Sequence, residues 1–324
     1  MIARPAALRA NPVLGWLLRN GFVVVLVVMA AFFSLATNSF ARFDNLMGLL
    51  HAMAPVTIIA CGMGLVVIGG KLDISVGSIA FLSMSVGSLL ITDQGWHPLL
   101  AFLLVLLIGA ALGCLNGFIV VKMKVNALIV TLGTMIAFRG LALQLTNSQV
   151  IVLPDELRHF GNFTIGPVFI DVLIALAVLL LVHLLHTSTR FGRHVTAIGN
   201  SEIAARRIGL PVDRTIFGCF MLSGVLAALG GFLASCQVGA VTTFLGQGLE
   251  FTAVAVVVVG GISLFGGIGS ILTGVALGAL TFEMIRNGLN HLGANPYSYR
   301  LVGGVMIFIA MYADALKAGF KRRG

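Results

Sequence analysis

The residues of this 324-residue chain that could do chemistry are few and scattered. The glycine-rich run GGISLFGGIGS (Gly260–Ser270) lacks the lysine with which a phosphate-binding loop reaches a nucleotide. No His-Glu-x-x-His, paired-cysteine or Gly-x-Ser-x-Gly pattern occurs. His183 and His186 are spaced i,i+3, but no acid or cysteine accompanies them, so an interfacial role fits better than metal ligation. Cys61, Cys114, Cys219 and Cys236 lie inside apolar stretches without ligand spacing and are expected to act as small packing residues. No catalytic residue, metal site or cofactor of its own is therefore expected.

What remains is a set of polar side chains inside apolar sequence. Asp73 and Ser75 sit in GGKLDISVGS (Gly69–Ser78), where Gly69, Gly70 and Gly77 let the backbone leave helical geometry. Such irregular backbone at membrane depth is tolerated only inside protein or beside water. Asp73 and Ser75 either cap the helix starting near Val76 or face a solute. Glu250 and Glu283 fall near the outer ends of their segments. A charge at the centre of a membrane helix costs about 2.5–3.5 kcal/mol even on the lenient scale. This chain keeps its charges at segment ends, which points to a neutral, hydrated path. The candidate lining is Asp73, Ser75, Asn116, Thr131, Thr134, Gln144, Glu250 and Asn287; the same polar residues also serve to bind helices together. Arg139 is placed to snorkel to the interface or to hold a loop.

The elements that must position these groups are membrane helices. Hydrophobic residues make up 59% of the chain and charged ones 10%, and the mean hydropathy is +1.07. The apolar runs are continuous rather than alternating, which favours helices over a barrel, and the 40 glycines suit close helix–helix approach. The expected fold class is all-α: a polytopic membrane helix bundle of about ten segments. These are placed at 21–37, 46–68, 77–91, 98–121, 126–145, 166–186, 214–236, 249–265, 270–288 and 299–316. Several are short for an untilted span, so broken or re-entrant segments are expected. The first run lacks a nearby small-residue cleavage site and is read as a retained helix. Residues 1–20 form an N-terminal segment, 21–316 one transmembrane domain, and 317–324 a basic tail.

Fifteen of the 20 basic residues then fall on one side: Arg4, Arg9, Arg19, Lys71, Lys122, Lys124, the loop arginines, Lys317, Lys321, Arg322 and Arg323. That side, with both termini, is the cytoplasm by the positive-inside rule. Acids gather on the other face (Asp44, Asp93, Asp155, Glu156, Asp171). The net charge of +9 is thus a topology signal and not a nucleic-acid surface. The longest polar interruption is 187–214, with Arg190, Arg193, Arg206, Arg207 and Arg214. It contains one short helix, with Ser201 as N-cap, Gly209 as stop and Pro211 beyond. Glu202 and Arg206 are an i,i+4 pair across it. So short a helix needs something packed on it: either a soluble protein presses from the cytoplasm, or the loop rests on lipid headgroups. A weak internal echo links Ile68–Ile79 with Val259–Ile271.

In this order the motifs resemble a known family. GGKLDISVGS, LGCLNG (Leu112–Gly117), TLGTMIAFRG (Thr131–Gly140), the cytoplasmic stretch Thr189–Leu210, the glycine-rich Gly246–Gly269 and Asn287–Leu289 are similar to those of ribose-type permeases. These are the membrane-spanning subunits of bacterial monosaccharide ABC importers, embedded in the inner membrane. The resemblance implies a second permease subunit, identical or related. It also implies two ATP-binding-cassette subunits, or one duplicated one, holding ATP and magnesium, and a soluble periplasmic or extracellular solute-binding protein. It makes the 201–209 helix a coupling helix, with Gly192, Arg193, Gly199, Asn200, Glu202, Ala204, Ala205, Arg206 and Gly209 its motif residues. Three departures stand out: an extra residue between Gly70 and Asp73, Thr252 where the family has aspartate, and a lost glycine before Asn200. Relatives carrying nucleosides or sugar-like signalling molecules leave the solute open. An ion-coupled carrier and a lipid-modifying enzyme are the alternatives; the second would need a catalytic cluster at one interface.

Overall fold

The computed structural model describes residue 24, residues 26–295, and residues 298, 301–306, 308, 309, 311 and 312. The N-terminal segment 1–20 and the basic tail lie outside the described residues. The helices are α1 (Leu26–Ala36), α2 (Phe43–Ile68), α3 (Val76–Thr92), α4 (Pro98–Lys122), α5 (Ala127–Leu145), α6 (Asp155–Gly161), α7 (Ile170–Ser188), α8 (Arg190–Asn200), α9 (Glu202–Arg207), α10 (Val212–Val238), α11 (Leu249–Val259) and α12 (Ile271–His291). Described residues from 301 to 312 are helical as well. Of these, α2, α4, α5, α7 and α10 are long and apolar enough to cross a bilayer, and α1, α3 and α11 are shorter apolar helices. The protein is a helical, multi-pass membrane protein.

Burial separates a centre from a rim. α2, α3 and α10 are mostly buried, whereas α4, α5 and α7 turn leucine and isoleucine outward (Leu107, Ile129, Ile136, Leu181). Outward apolar side chains are what lipid contact requires. The packing of α4 on α10 runs on glycine. Gly109, Gly113 and Gly117 recur one turn apart on α4, and a Cβ on Gly113 would overlap the Phe220 carbonyl, as one on Gly224 would overlap that of Gly109. Close backbone approach of this kind holds helices together where the hydrophobic effect is absent. Pro55, inside α2, removes the N–H that would bond the His51 carbonyl. Gln237 Nε2 donates to that carbonyl at 2.8 Å and so repairs the gap; it also bonds buried Asp171, which lies 2.8 Å from His51 Nδ1.

Three features depart from the sequence reading. The chain is not purely helical: two-residue strands β1 (Ile151–Val152) and β4 (Ala240–Val241) pair antiparallel, as do β2 (Thr164–Ile165) and β3 (Val168–Phe169). Residues 187–214 hold two helices, α8 and α9, where one was expected. α11 ends at Val259, not near 265, because Gly260 and Gly261 (φ +92°) break it. Eleven residues span about 16 Å, roughly half the hydrocarbon thickness.

The sequence echo has a structural counterpart. α2 ends with N–H groups of Gly69, Gly70 and Lys71 bonded to the carbonyls of Leu65, Val67 and Val66. α11 ends with those of Gly260, Gly261 and Ile262 bonded to Val256, Val258 and Val257. The same glycine-terminated turn is thus built twice, with Ile262 where the first has Lys71.

Candidate functional site

Helices α8 and α9 are set by their caps. The Thr189 hydroxyl accepts from Gly192 N–H at the start of α8, and the Ser201 hydroxyl accepts from Ala204 N–H at the start of α9. Gly209 (φ +77°) turns the chain out of α9. α8 buries Gly192, Val195 and Ile198 on one face. This i,i+3 spacing was in the sequence, and Thr189 marked the start; the arginines around it masked the signal. Gly192 packs so tightly on the His186 backbone that a Cβ there would overlap it, and His186 Nε2 meets Thr196 Oγ at 3.0 Å. Arg193 stays exposed, with Nη1 near the Ser188 carbonyl.

Both membrane turns meet the end of α8. Gly267 N–H donates to the Ile68 carbonyl at 2.8 Å, joining the α2–α3 and α11–α12 loops. Gly199 lies against that junction, and a Cβ on it would overlap both the Ile68 carbonyl and Gly267 N. Asn200 Nδ2 donates to the Thr196 carbonyl at 2.9 Å and reaches the Gly267 carbonyl. On α9, Ala205 is buried and Ala204 exposed. Lys71 Nζ donates to Glu202 Oε2 at 2.9 Å, Arg206 donates to Glu202 Oε1 at 3.0 Å, and Arg206 also holds Asp213 at 2.5 Å. Burial alone would push the Glu202 carboxyl up. Hydrogen bonds and charge from Lys71 and Arg206 outweigh it and hold that carboxyl below the usual carboxylate range. Bonds to Asp213 and Glu202 raise Arg206 in turn.

The path candidates converge in part. Asp73 is fully buried; its Oδ1 accepts from Ser75 N–H and Oγ, and its Oδ2 from Ser223 Oγ at 2.8 Å. Asn116 Nδ2 donates to Ser75 Oγ at 2.8 Å, while Asn116 Oδ1 is buried without a partner. Thr131 donates to the Ala127 carbonyl at 2.9 Å and lies 3.5 Å from that of Leu72, with Thr134 a turn further. Glu250 stands in the first turn of α11, at the start of its segment as expected. It abuts Gly77 at the start of α3, so closely that a Cβ on Gly77 would crowd Glu250 Oε2. Glu250 Oε2 is buried and without a hydrogen-bond partner. Arg139 holds a loop, donating to the Thr243 and Leu245 carbonyls, with its guanidinium over Phe81.

Asn287 belongs to a different group. It exchanges two 3.0 Å hydrogen bonds with Asn45, which also meets His291. Gln144 is exposed. Glu283 is paired with Arg286.

Residues 45–311 match the family described as "Branched-chain amino acid transport system / permease component". The chain is 33% identical over 311 residues to the ribose import permease protein RbsC of Escherichia coli strain K12, covering 93% of this chain and 95% of that one. The chain belongs to the ribose-type family of ABC importer permeases. It is also 33% identical to the galactose/methyl galactoside import permease protein MglC of Salmonella typhimurium strain LT2, over 98% of this chain and 100% of the relative. With the L-arabinose transport system permease protein AraH of E. coli K12 the identity is 34%, over 93% and 92%. Members of such a family are transport components.

Proposed function

We propose that the chain is the transmembrane permease subunit of an ABC importer that carries a monosaccharide across the bacterial inner membrane. Ribose, galactose and arabinose in the names of its relatives support that solute class. The subunit makes about ten spans with both termini cytoplasmic. It pairs with a second permease, identical or related. A separate ABC subunit, in two copies or duplicated, holds ATP and magnesium, and a soluble binding protein delivers the sugar.

The observation that carries this reading is the state of α9. Its Ala205 packs inward, while Ile203 on the helix and Ile208 at its C-cap are 69% and 74% exposed among charged neighbours. Apolar side chains held out this way mark a docking surface. Behind them, Gly199 and Asn200 touch the end of α2 and Gly267 in the α11–α12 loop. A partner seated on α9 therefore has a short route to Asp73, Ser75, Asn116, Thr131, Thr134 and Glu250. The unpartnered oxygens of Asn116 and Glu250 are acceptors suited to sugar hydroxyls or to water between them.

Ile203→Cys tests the docking. The four native cysteines lie inside apolar helices, so the new thiol can be labelled selectively. A membrane-impermeant maleimide should react from the cytoplasmic side only, and the ABC subunit should block it. Labelling from outside, or full labelling with the ABC subunit bound, contradicts the reading.

A further inference from the structure

We propose that Lys71 is the residue by which α9 grips the α2–α3 loop, a positioning residue that transmits motion of the cytoplasmic helix to the turn holding Asp73. The inference deepens the permease reading and rests on it. The molecule supplies its own control. The turn that ends α2 is repeated at the end of α11 with the same three backbone bonds, and Ile262 fills the position of Lys71 there. Ile262 is 1% exposed. The turn therefore needs no cation. Lys71 is also in the stretch where this sequence has one residue more than the ribose-type pattern.

The ammonium of Lys71 leaves the turn and meets Glu202 Oε2 at 2.9 Å, with both side chains partly screened from water. Arg206 takes the other oxygen of Glu202 and extends to Asp213, in the first turn of α10. α9 is thus strung between two elements. Those elements meet again deeper in the bundle, where Asp73 of the loop accepts from Ser223 of α10. The contact of Gly199 with Ile68 and Gly267 is steric and resists only approach. The Lys71–Glu202 pair resists separation, so together they transmit displacement both ways. Lys71, Glu202, Arg206 and Asp213 line a cavity of about 800 Å3 with the end of α4 and the start of α5, which leaves room for that motion.

The test uses the subunit reconstituted with its ABC subunit and binding protein, and radiolabelled ribose, galactose and L-arabinose as probes. The readout is sugar moved per ATP hydrolysed. Lys71→Met keeps the stem and the turn, and should lower that ratio roughly three- to five-fold, the bias a partly exposed ion pair exerts on a two-state equilibrium. Lys71→Arg should restore it. The double variant Lys71→Met/Glu202→Gln should do no worse than the more impaired single variant, since both remove one link. A wild-type ratio in Lys71→Met, or independent losses that multiply in the double variant, overturns the proposal while leaving the permease reading intact. No ATP-dependent uptake by the wild-type complex defeats that reading instead. Hydrogen exchange in the purified subunit then still decides: exchange over 69–75 and 202–207 should quicken together in Lys71→Met, and unchanged exchange over 202–207 refutes the grip. Should Lys71→Met fold poorly, Glu202→Gln asks the same question from the other side.

Discussion

At Gly199 the absence of one methyl group decides whether α8 can reach the membrane body. A Cβ there would meet backbone atoms of Ile68 and Gly267, which cannot rotate away. Gly199→Ala should destabilise the detergent-solubilised protein by about 1–3 kcal/mol through overpacking and should detach α8 from both turns. Gly209 offers the contrast: its φ is +77° but a Cβ would meet nothing within 4 Å. Gly209→Ala should cost only about 1 kcal/mol of left-handed strain and leave α8 seated. Thermal unfolding with proteolysis at 187–214 separates the two; equal effects would show that close approach is not what matters at Gly199. Single residues were legible in the sequence where local rules act. Ser201 and Gly209 are marked as cap and stop by type alone, whereas type left Arg139 open between the interface and a loop. The pairing of Asp73 with Ser223, 150 residues away, was not legible, because no local pattern encodes a partner at that distance.

At the scale of elements, glycine faces and charge strings do the positioning. Gly113→Leu should separate α4 from α10 and abolish stable folding, whereas Gly133→Leu on α5, where a Cβ meets nothing, should be tolerated by the isolated subunit. Detergent-resistant yield of the two variants checks this, and comparable losses would contradict the packing described. The α9 tether carries a pH dependence whose sign follows from Glu202. Its folded-state pKa is held below the ordinary 4.5. The stabilisation is therefore full above that value and is lost as pH falls through the lower, folded one. The protection factor over 202–207, which is the exchange rate corrected for its intrinsic pH dependence, should fall on acidification below about pH 4.5 and stay flat between pH 6 and 8; a loss of protection in the neutral window would contradict the assignment. Helix positions followed from hydropathy to within a few residues, since lipid imposes continuous apolar runs. Three helices did not. The short α6 falls between two expected segments, in polar sequence that carries no apolar run. α8 was hidden by its arginines, and α11 was overextended because Ile262, Leu264 and Phe265 continue the hydropathy after glycine has ended the helix.

For the whole molecule, the exposed helix α9 and the end of α8 lie against the α2–α3 and α11–α12 loops, with polar groups inside the bundle beyond them. Fold class was legible from composition. Family membership was legible because six motifs occur in one order. The approach of Glu250 to Gly77 at the start of α3 was not, because hydropathy cannot show which helix ends meet. In the proposed mechanism, energy enters from a separate ATPase through α8 and α9. The most direct measurement is sugar flux into liposomes holding this subunit and binding protein, with and without the ABC subunit. Flux is predicted only when the ABC subunit and ATP are both present, on the cytoplasmic face. Uptake by the subunit alone, driven by a proton or sodium gradient, would contradict it.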